Sequence, residues 1–327
     1  GRFILSNVVS SQEKIHAPYG GVVPEIASRH HLVSLMPVIR SALQPIGNID
    51  NIDVIAVTNG PGLVGSLLVG IQGAKTLAWV WDKKLVAVNH LEAHLRAPFT
   101  GYRDNPPPVP PHIHLSLLVS GGHTILFHVE GDSREIIGAT RDDAAGEAFD
   151  KVAKMLHLGY PGGRVIDSLA SQGDPLRFRL PRGLHKRGGY DFSFSGLKTA
   201  VMQLIASLKD GVEGEIPHIC ASFQRSVVDS LVSKTAEALS NYPVEGVVLA
   251  GGVAANQELR RTMETLCLKR GIAFYVPPVP LCTDNAAMVA SLGYELANRG
   301  EFASSDLNAF SSSLWSRRGE LLRTKGR

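Results

Sequence analysis

The chain is poor in cysteine: three in 327 residues, at Cys220, Cys267 and Cys282. They form no C-x-x-C pair and no even-numbered framework, which excludes a small disulfide-stapled fold and makes a reducing, cytoplasmic setting the expectation. Strong charge of either sign is also lacking. Lys and Arg total 33 against 30 Asp and Glu, a net +3, which permits a nucleic-acid partner without demanding one. No long hydrophobic run is present. The most apolar window, from Pro61 to Trp81, is broken by Ser66, Gln72, Lys75 and several glycines. It reads as a buried helix packed closely against a sheet rather than a membrane span. The opening GRFILSNVVSSQ is too short and too polar for a signal peptide. Two nucleotide motifs are missing as well: no G-x-x-x-x-G-K-[ST] occurs, and no G-x-G-x-x-G follows a strand.

What is present points to an α/β chain. Hydrophobic residues make up 44%, enough for one large or two medium domains. DVIAVT (53–58) reads as a short buried strand followed by Asn59-Gly60-Pro61-Gly62 and a helix, and Leu85 to Val88 as another strand. DNPPPVPP (104–111) holds five prolines in eight residues and reads as an extended join between two halves. LSLLVSGGHTILFHVEG has the form strand, Ser120-Gly121-Gly122 turn, strand. VEGVVLAGGVAANQELRR reads as strand, Gly251-Gly252, helix, and IAFYV as a last short strand. CTDNAAMVASLGYELANRG reads as a helix with Thr283 or Asp284 as its cap.

VNHLEAHL (88–95) places His90 and His94 four residues apart, on one face of a helix, with Glu92 between them. Both imidazoles could meet one ion, or the pair could be structural; the spacing alone leaves this open. It is not H-E-x-x-H, where the Glu follows the first His directly and serves as base. Three glycine loops, at 60–62, 120–122 and 251–252, are candidate phosphate cradles or simple tight turns. In RDDAAGEAFDK, Asp142, Asp143, Glu147 and Asp150 cluster at a helix start, and Pro161-Gly162-Gly163 with Asp167 follows. These carboxylates are ribose contacts or a solvated acidic face. Between Asp174 and Asp191 lie Arg177, Arg179, Arg182, Lys186 and Arg187 with no acidic residue, a loop able to lie on a phosphate backbone or simply to keep a surface soluble. Arg317, Arg318, Arg323, Lys325 and Arg327 read as a basic frayed tail.

Nine stretches, in order, resemble one family: HAPYGGVVPEIASRHH, NGPGLVGSLLVG, NHLEAH, LLVSGGHT, DDAAGEAFDK, YPGG, DFSFSGLKT, AGGVAANQ and CTDNAAM. Together they look like the bacterial TsaD group, the tRNA N6-adenosine threonylcarbamoyltransferases once described as glycoproteases. The resemblance implies an actin-like, sugar-kinase-like ATPase fold, two RNase H-like α/β domains around a cleft. The first domain would take residues 1–111 with the C-terminal helix, about 284–327; the second, with helical insertions, would take 112–283. The implied activity is transfer of a threonylcarbamoyl group from threonylcarbamoyl-adenylate to N6 of adenosine 37 in tRNAs reading codons that start with A.

Carried over residue by residue, the metal ligands would be His90, His94 and Asp284, holding one iron or zinc ion. Because they come from separate parts of the chain, the ion is expected in the cleft between the halves. Nucleotide and substrate contacts would fall on Leu118, Val119, Ser120, Gly121, Gly122, Asp150, Gly163, Asp167 and Asn256, with Lys198 a further candidate anion contact. The implied partners are tRNA, a shorter paralogue of TsaB type and a small P-loop ATPase of TsaE type, with no membrane. Family members begin with a strand, a loop and a second strand that this chain lacks, so an exposed sheet edge and a weakened nucleotide site are expected. Three other readings stand beside the transferase: a metallopeptidase, a sugar-kinase-like phosphotransferase, and a non-catalytic tRNA-binding scaffold.

Overall fold

A computed structural model describes residues 1–184 and 188–311. Lys186, Arg187 and the basic stretch from Arg317 to Arg327 lie outside the described residues. In chain order the elements are α1 (Glu13–His16), α2 (Pro24–Leu43), β1 (Val54–Gly60), α3 (Val64–Val80), β2 (Lys84–Asn89), α4 (His90–Arg96), β3 (Ile113–Val119), β4 (Thr124–Glu130), β5 (Ser133–Ala139), α5 (Ala145–Met155), α6 (Gly162–Ala170), α7 (Ser195–Leu208), α8 (Val212–Asn241), β6 (Gly246–Ala250), α9 (Gln257–Arg270), β7 (Ala273–Tyr275) and α10 (Ala286–Asn298). They divide into two compact units, one comprising Gly1–Pro110 and the segment beginning at Thr283, the other Pro111–Cys282.

The second unit is built on a five-stranded sheet of order β5-β4-β3-β6-β7. β3, β4 and β5 form an antiparallel meander, and β6 and β7 continue it in parallel with β3. The strand sequences explain the order. Gly246–Ala250 (GVVLA) is buried at every position, as a strand covered on both faces must be. Ser133–Ala139 (SREIIGA) carries Arg134 and Glu135, and it takes the edge, where charge guards against further pairing. Helices α5 to α9 supply the rest of the core, in which Phe149 and Phe223 meet edge to face at 5.1 Å.

In the first unit β1 and β2 pair in parallel, Val54 opposite Lys84 through Thr58 opposite Val88. Among the described residues this sheet has two strands, and β1 is half-exposed at every position except Gly60. The apolar window does form a helix, α3, but not a buried one. Only Ile71, Ala74 and Ala78 are buried on it, and Trp79 is 85% exposed. Its glycines serve approach to the neighbouring helix: a Cβ on Gly73 would lie 2.7 Å from Leu35 of α2. Around β2, α4 and α10, Val86, Val88, Ala93, Ala97, Met288 and Leu292 form a second small core. Burying each of the larger members contributes roughly 1.5–3 kcal/mol.

All three cysteines are free and buried. Burial pushes the Cys220 thiol up to about 12 and Cys267 to about 11, so neither is a nucleophile at neutral pH. No helix among the described residues is long and apolar enough to cross a membrane.

Helix α10 sits so close to β1 that a Cβ on Gly293 would lie 2.4 Å from the Ala56 Cβ. Gly293→Ala is therefore expected to destabilise the chain by about 1–3 kcal/mol through overpacking, despite alanine's better helix propensity. Thermal denaturation followed by circular dichroism checks this; an unchanged or raised midpoint would show that the two backbones have room to part.

Candidate functional site

Strand β2 runs directly into α4, and the junction is set by Asn89. Its side-chain oxygen accepts hydrogen bonds from the Leu91 and Glu92 amides at 2.9 and 3.3 Å, satisfying the first turn of the helix. His90 is thus the first residue of α4 and His94 lies one turn on, their rings 4.7 Å apart and edge to face. Both point Nε2 at Asp284 Oδ1, at 3.5 Å from His90 and 3.1 Å from His94.

Asp284 is not the cap of α10, contrary to expectation. Asn285 takes that role, accepting from the Met288 amide at 3.0 Å, while its own amide donates to the Thr283 carbonyl at 2.9 Å. The turn holds Asp284 between its neighbours, with its carboxylate toward the histidines. Helices α4 and α10 are tied further by the Arg96–Glu295 ion pair.

The ligand atoms of His90, His94 and Asp284 all lie within 4.8 Å of one another. Two neutral imidazoles and one carboxylate form a donor set suited to zinc or iron with open positions. The His94 side chain is almost wholly buried, whereas 80% of the Asp284 side chain faces solvent, so the carboxylate side is where a further ligand would enter. All three residues belong to the first unit, as the expected domain division has them. Glu92 is not part of the cluster.

In the second unit the turn between β3 and β4 is closed by the Ser120 amide donating to the His123 carbonyl at 2.8 Å. Leu118 and Val119, just before it, have fully buried side chains, so the main chain is what they can offer. No atom lies within 4 Å of the Cβ position of Gly121 or Gly122, which leaves this backbone open to a ligand. The first amides of α5 are already used, Ala145 donating to Thr124 Oγ1 and Gly146 to the Ser120 carbonyl. Gly251 follows β6 with φ of +90°, and a Cβ there would lie 2.4 Å from the Val119 carbonyl oxygen. A short 3₁₀ turn then separates it from α9, so this glycine pair permits close backbone approach and does not itself open the helix.

Asp150 accepts from the Gly162 amide at 2.8 Å, and burial raises its pKa above 3.8. Gly163, next along, has open space at its Cβ position. Asp167 and Asn256 meet directly, Asn256 Nδ2 donating to Asp167 Oδ1 at 3.1 Å and to Gln224 Oε1 at 2.7 Å. Asn256 Oδ1 caps α9 by accepting from the Leu259 amide at 2.9 Å. Both amide hydrogens of Asn256 are then spent and its orientation is locked. Gln224 is held in turn through Nε2 to Glu258 Oε2 at 3.1 Å.

Asp142 is exposed and Asp143 partly buried, and both carboxylates are engaged by fixed donors. Burial alone would raise Asp142, but donors from Ser193, Phe194 and Ser195 outweigh it and hold the group below its ordinary range. Asp143 pairs with Lys151 at 2.7 Å and with Lys198 at 2.9 Å. The Lys198 ammonium thus has a fixed carboxylate partner.

Comparison with known proteins agrees on what these parts belong to. The model of the family TsaD, tRNA N6-adenosine threonylcarbamoyltransferase, matches residues 3–291. The chain belongs to this family. A tRNA N6-adenosine threonylcarbamoyltransferase from Anaeromyxobacter dehalogenans is 52% identical over 315 residues, covering 94% of this chain and 92% of its own. Another from Symbiobacterium thermophilum is 52% identical over 311 residues, covering 94% and 89%. The fold is actin-like and sugar-kinase-like: T. kodakarensis HypF superposes with a TM-score of 0.57 at 16% identity, over 84% of this chain and 44% of that one. Full-length HypF in its phosphate- and nucleotide-bound form gives 0.56 at 16%, over 81% and 50%. Likeness at that identity concerns fold alone.

Sequence reasoning passed over four residues that hold the candidate site residues in place: Asn89, Asn285, Gln224 and Glu258. The two asparagines are good caps beside ligand residues and were legible in principle. Gln224 lies inside the 30-residue helix α8, where no local pattern sets it apart.

Asp167 carries a pKa raised above 3.8, chiefly by burial, with the Gln257 amide opposing the shift. A carboxylate with a raised pKa takes up its proton earlier as pH falls. If its ionised form accepts ribose hydroxyls, adenosine affinity should decline on acidification at a pH above 3.8, and Asp167→Asn should remove that dependence. Calorimetric titration across pH checks this; an affinity independent of pH down to the ordinary Asp range would contradict it.

Proposed function

We propose that the chain transfers the threonylcarbamoyl group from threonylcarbamoyl-adenylate to N6 of adenosine 37 in tRNAs reading codons that start with A. The observation that carries this reading is the match along 94% of the chain, at 52% identity, to a transferase acting on tRNA N6-adenosine. The donor is a mixed anhydride and already activated. The adenosine N6 attacks the carbamoyl carbon, the new N–C bond forms, the C–O bond to the phosphate breaks, AMP leaves with that oxygen, and N6 gives up a proton.

His90, His94 and Asp284 would hold one divalent ion, iron by preference or zinc. When bound, such an ion supplies Lewis-acid polarisation of a carbamoyl or phosphate oxygen. The other roles fall to the second unit. The open amides of Gly121 and Gly122, in the turn that Ser120 closes, would cradle the phosphate, neutralising charge as the leaving group departs, with no reorganisation needed. The main chain at Leu118 and Val119 carries that turn to the end of its strand. Asp150 fixes the Gly162 amide and so sets the backbone at Gly163 against the nucleotide. Asp167 would accept the ribose hydroxyls. Asn256, unable to donate further, would accept through its remaining lone pair while holding Asp167 in place. The partners we propose are the shorter TsaB-type paralogue and the small TsaE-type ATPase, in the cytoplasm.

A peptidase reading would need Glu92 as base, and Glu92 stands outside the ligand cluster. The test is a transfer assay with purified chain, the partner proteins, pre-formed threonylcarbamoyl-adenylate and an unmodified tRNA transcript. Digested nucleosides are read by mass spectrometry. His94→Ala and Asp284→Asn should each lose about a hundredfold or more in rate, whereas Glu92→Gln should stay near the parent. Undiminished transfer in His94→Ala would remove the metal from the reading. Absence of modified adenosine with the parent chain would remove the transferase itself.

A further inference from the structure

The loop from Asp174 to Leu184 is not loose. It is fastened along one stripe of α8 at nearly every turn. Arg177 Nη2 pairs with Glu215 Oε1 at 2.9 Å, the Asp174 amide donates to His218 Nδ1 at 2.9 Å, and the Phe178 amide to Ser222 Oγ at 3.2 Å. Ser226 Oγ donates to the Leu180 carbonyl at 3.5 Å, and Arg182 Nη2 pairs with Asp229 Oδ2 at 2.5 Å. Residues 215, 218, 222, 226 and 229 recur at the three- and four-residue spacing of a helix face. The strap and this face line an open cavity of about 890 Å³.

The charge lining that cavity is unbalanced. Arg182 and Arg225 share one carboxylate, Asp229, the second contact being 2.9 Å. Arg179, between the fastened Arg177 and Arg182, is exposed and forms no ion pair among the described residues. No Asp or Glu occurs from Pro175 through Tyr190. Leu176 lies at the cavity with 81% of its surface exposed, beside Phe178 and Leu180. Gln224, which reaches Asn256, lies on another face of the same helix. The cavity therefore lies on a different face of α8 from the Asn256 network, with Arg225 near enough to act on Glu258. Arg179, Arg182 and Arg225, the last two held by Asp229, stand beside apolar side chains, an arrangement that matches an RNA strand with its phosphate at each step and its apolar base and ribose faces. An acidic peptide would match the charge but not its regular repeat.

We propose that this cavity holds the sugar–phosphate backbone of the substrate tRNA, away from the adenosine that reacts, with Arg179 as a phosphate contact. The proposal rests on the transferase reading, since it takes tRNA as the substrate. A strap fastened in advance presents its arginines without an ordering cost, and the contact is electrostatic and independent of base sequence.

Filter binding of an unmodified tRNA transcript to the full chain, across a salt series, tests it. Arg179→Ala is expected to weaken binding roughly three- to tenfold and to flatten the dependence of log K on log salt by about 1, with Arg179→Glu stronger in both. Lys269→Ala, an equal charge change at an exposed position on α9, should leave both unchanged, and adenosine affinity should be the same in all four proteins. Parental affinity and slope in the Arg179 variants would overturn the proposal, leaving the cavity to an acidic protein partner. So would an equal loss in Lys269→Ala, which would make the effect one of net charge. In either case a parent chain that still modifies tRNA keeps the transferase reading. A parent that neither binds nor modifies tRNA ends both.

Discussion

A helix cannot leave its first amides unpaired, and at three places this chain meets that demand with an asparagine at or beside a candidate site residue. Asn89 caps α4 and is followed by His90; Asn285 caps α10 and is preceded by Asp284; Asn256 caps α9 and is itself a candidate contact. Each cap fixes where a helix begins to within one residue. A histidine pair four residues apart reaches one point only if that start is fixed, and Asp284 can face it only if another residue does the capping. The ligand cluster is thus a consequence of ordinary helix-end satisfaction, applied where a strand or loop turns into a helix.

The second unit depends on close backbone approach and on burial of a few carboxylates. Gly251 against Val119, and Gly146 against Ser120 and Gly121, bring strand ends and a helix start together with no side chain between them. The amides of α5 are absorbed by that contact, and the Gly121-Gly122 backbone is left open. Desolvation raises Asp150, Asp167 and Glu258, whereas Asp142 and Asp143 are held low by their donors. The same residue type therefore divides into two classes by environment. Those with lowered pKa tie α5 to α7; of those with raised pKa, Asp167 and Glu258 belong to the polar network at Asn256, and Asp150 holds the start of α6. A carboxylate fully neutralised by lysines has little left for a ligand, and one bonded only to amides retains its charge.

Much of the fold was legible because the local signals were strong. The β3–β4 hairpin follows from two apolar runs around Ser120-Gly121-Gly122, and the β1 and β2 strands from short apolar runs rich in β-branched residues. β5 was not singled out, since Arg134 and Glu135 give an edge strand a polar look. The window from Pro61 to Trp81 reads as buried by composition, yet only one stripe of α3 is covered, because composition carries no record of which face meets a neighbour. Thr283, Asp284 and Asn285 are all good caps, and sequence alone could not choose among them; the histidines nearly 200 residues away decide it. Asp142 and Asp143 read as a solvated face for the same reason, their partners Ser193, Ser195 and Lys198 lying some 50 residues on. Long-range pairing was the part out of reach. The ordered run of nine motifs supplied what no single motif could.

The central claim is that His90, His94 and Asp284 hold one ion through two imidazole Nε2 atoms and a carboxylate oxygen. X-ray absorption spectroscopy at the iron and zinc edges, on chain purified and loaded with either metal, tests it most directly. The expected spectrum shows two histidine ligands with an oxygen donor at roughly 2.0–2.2 Å and no sulfur, and it disappears in His94→Ala. A stoichiometric ion with sulfur ligands, an ion that persists in His94→Ala, or a chain that takes up neither metal would contradict it.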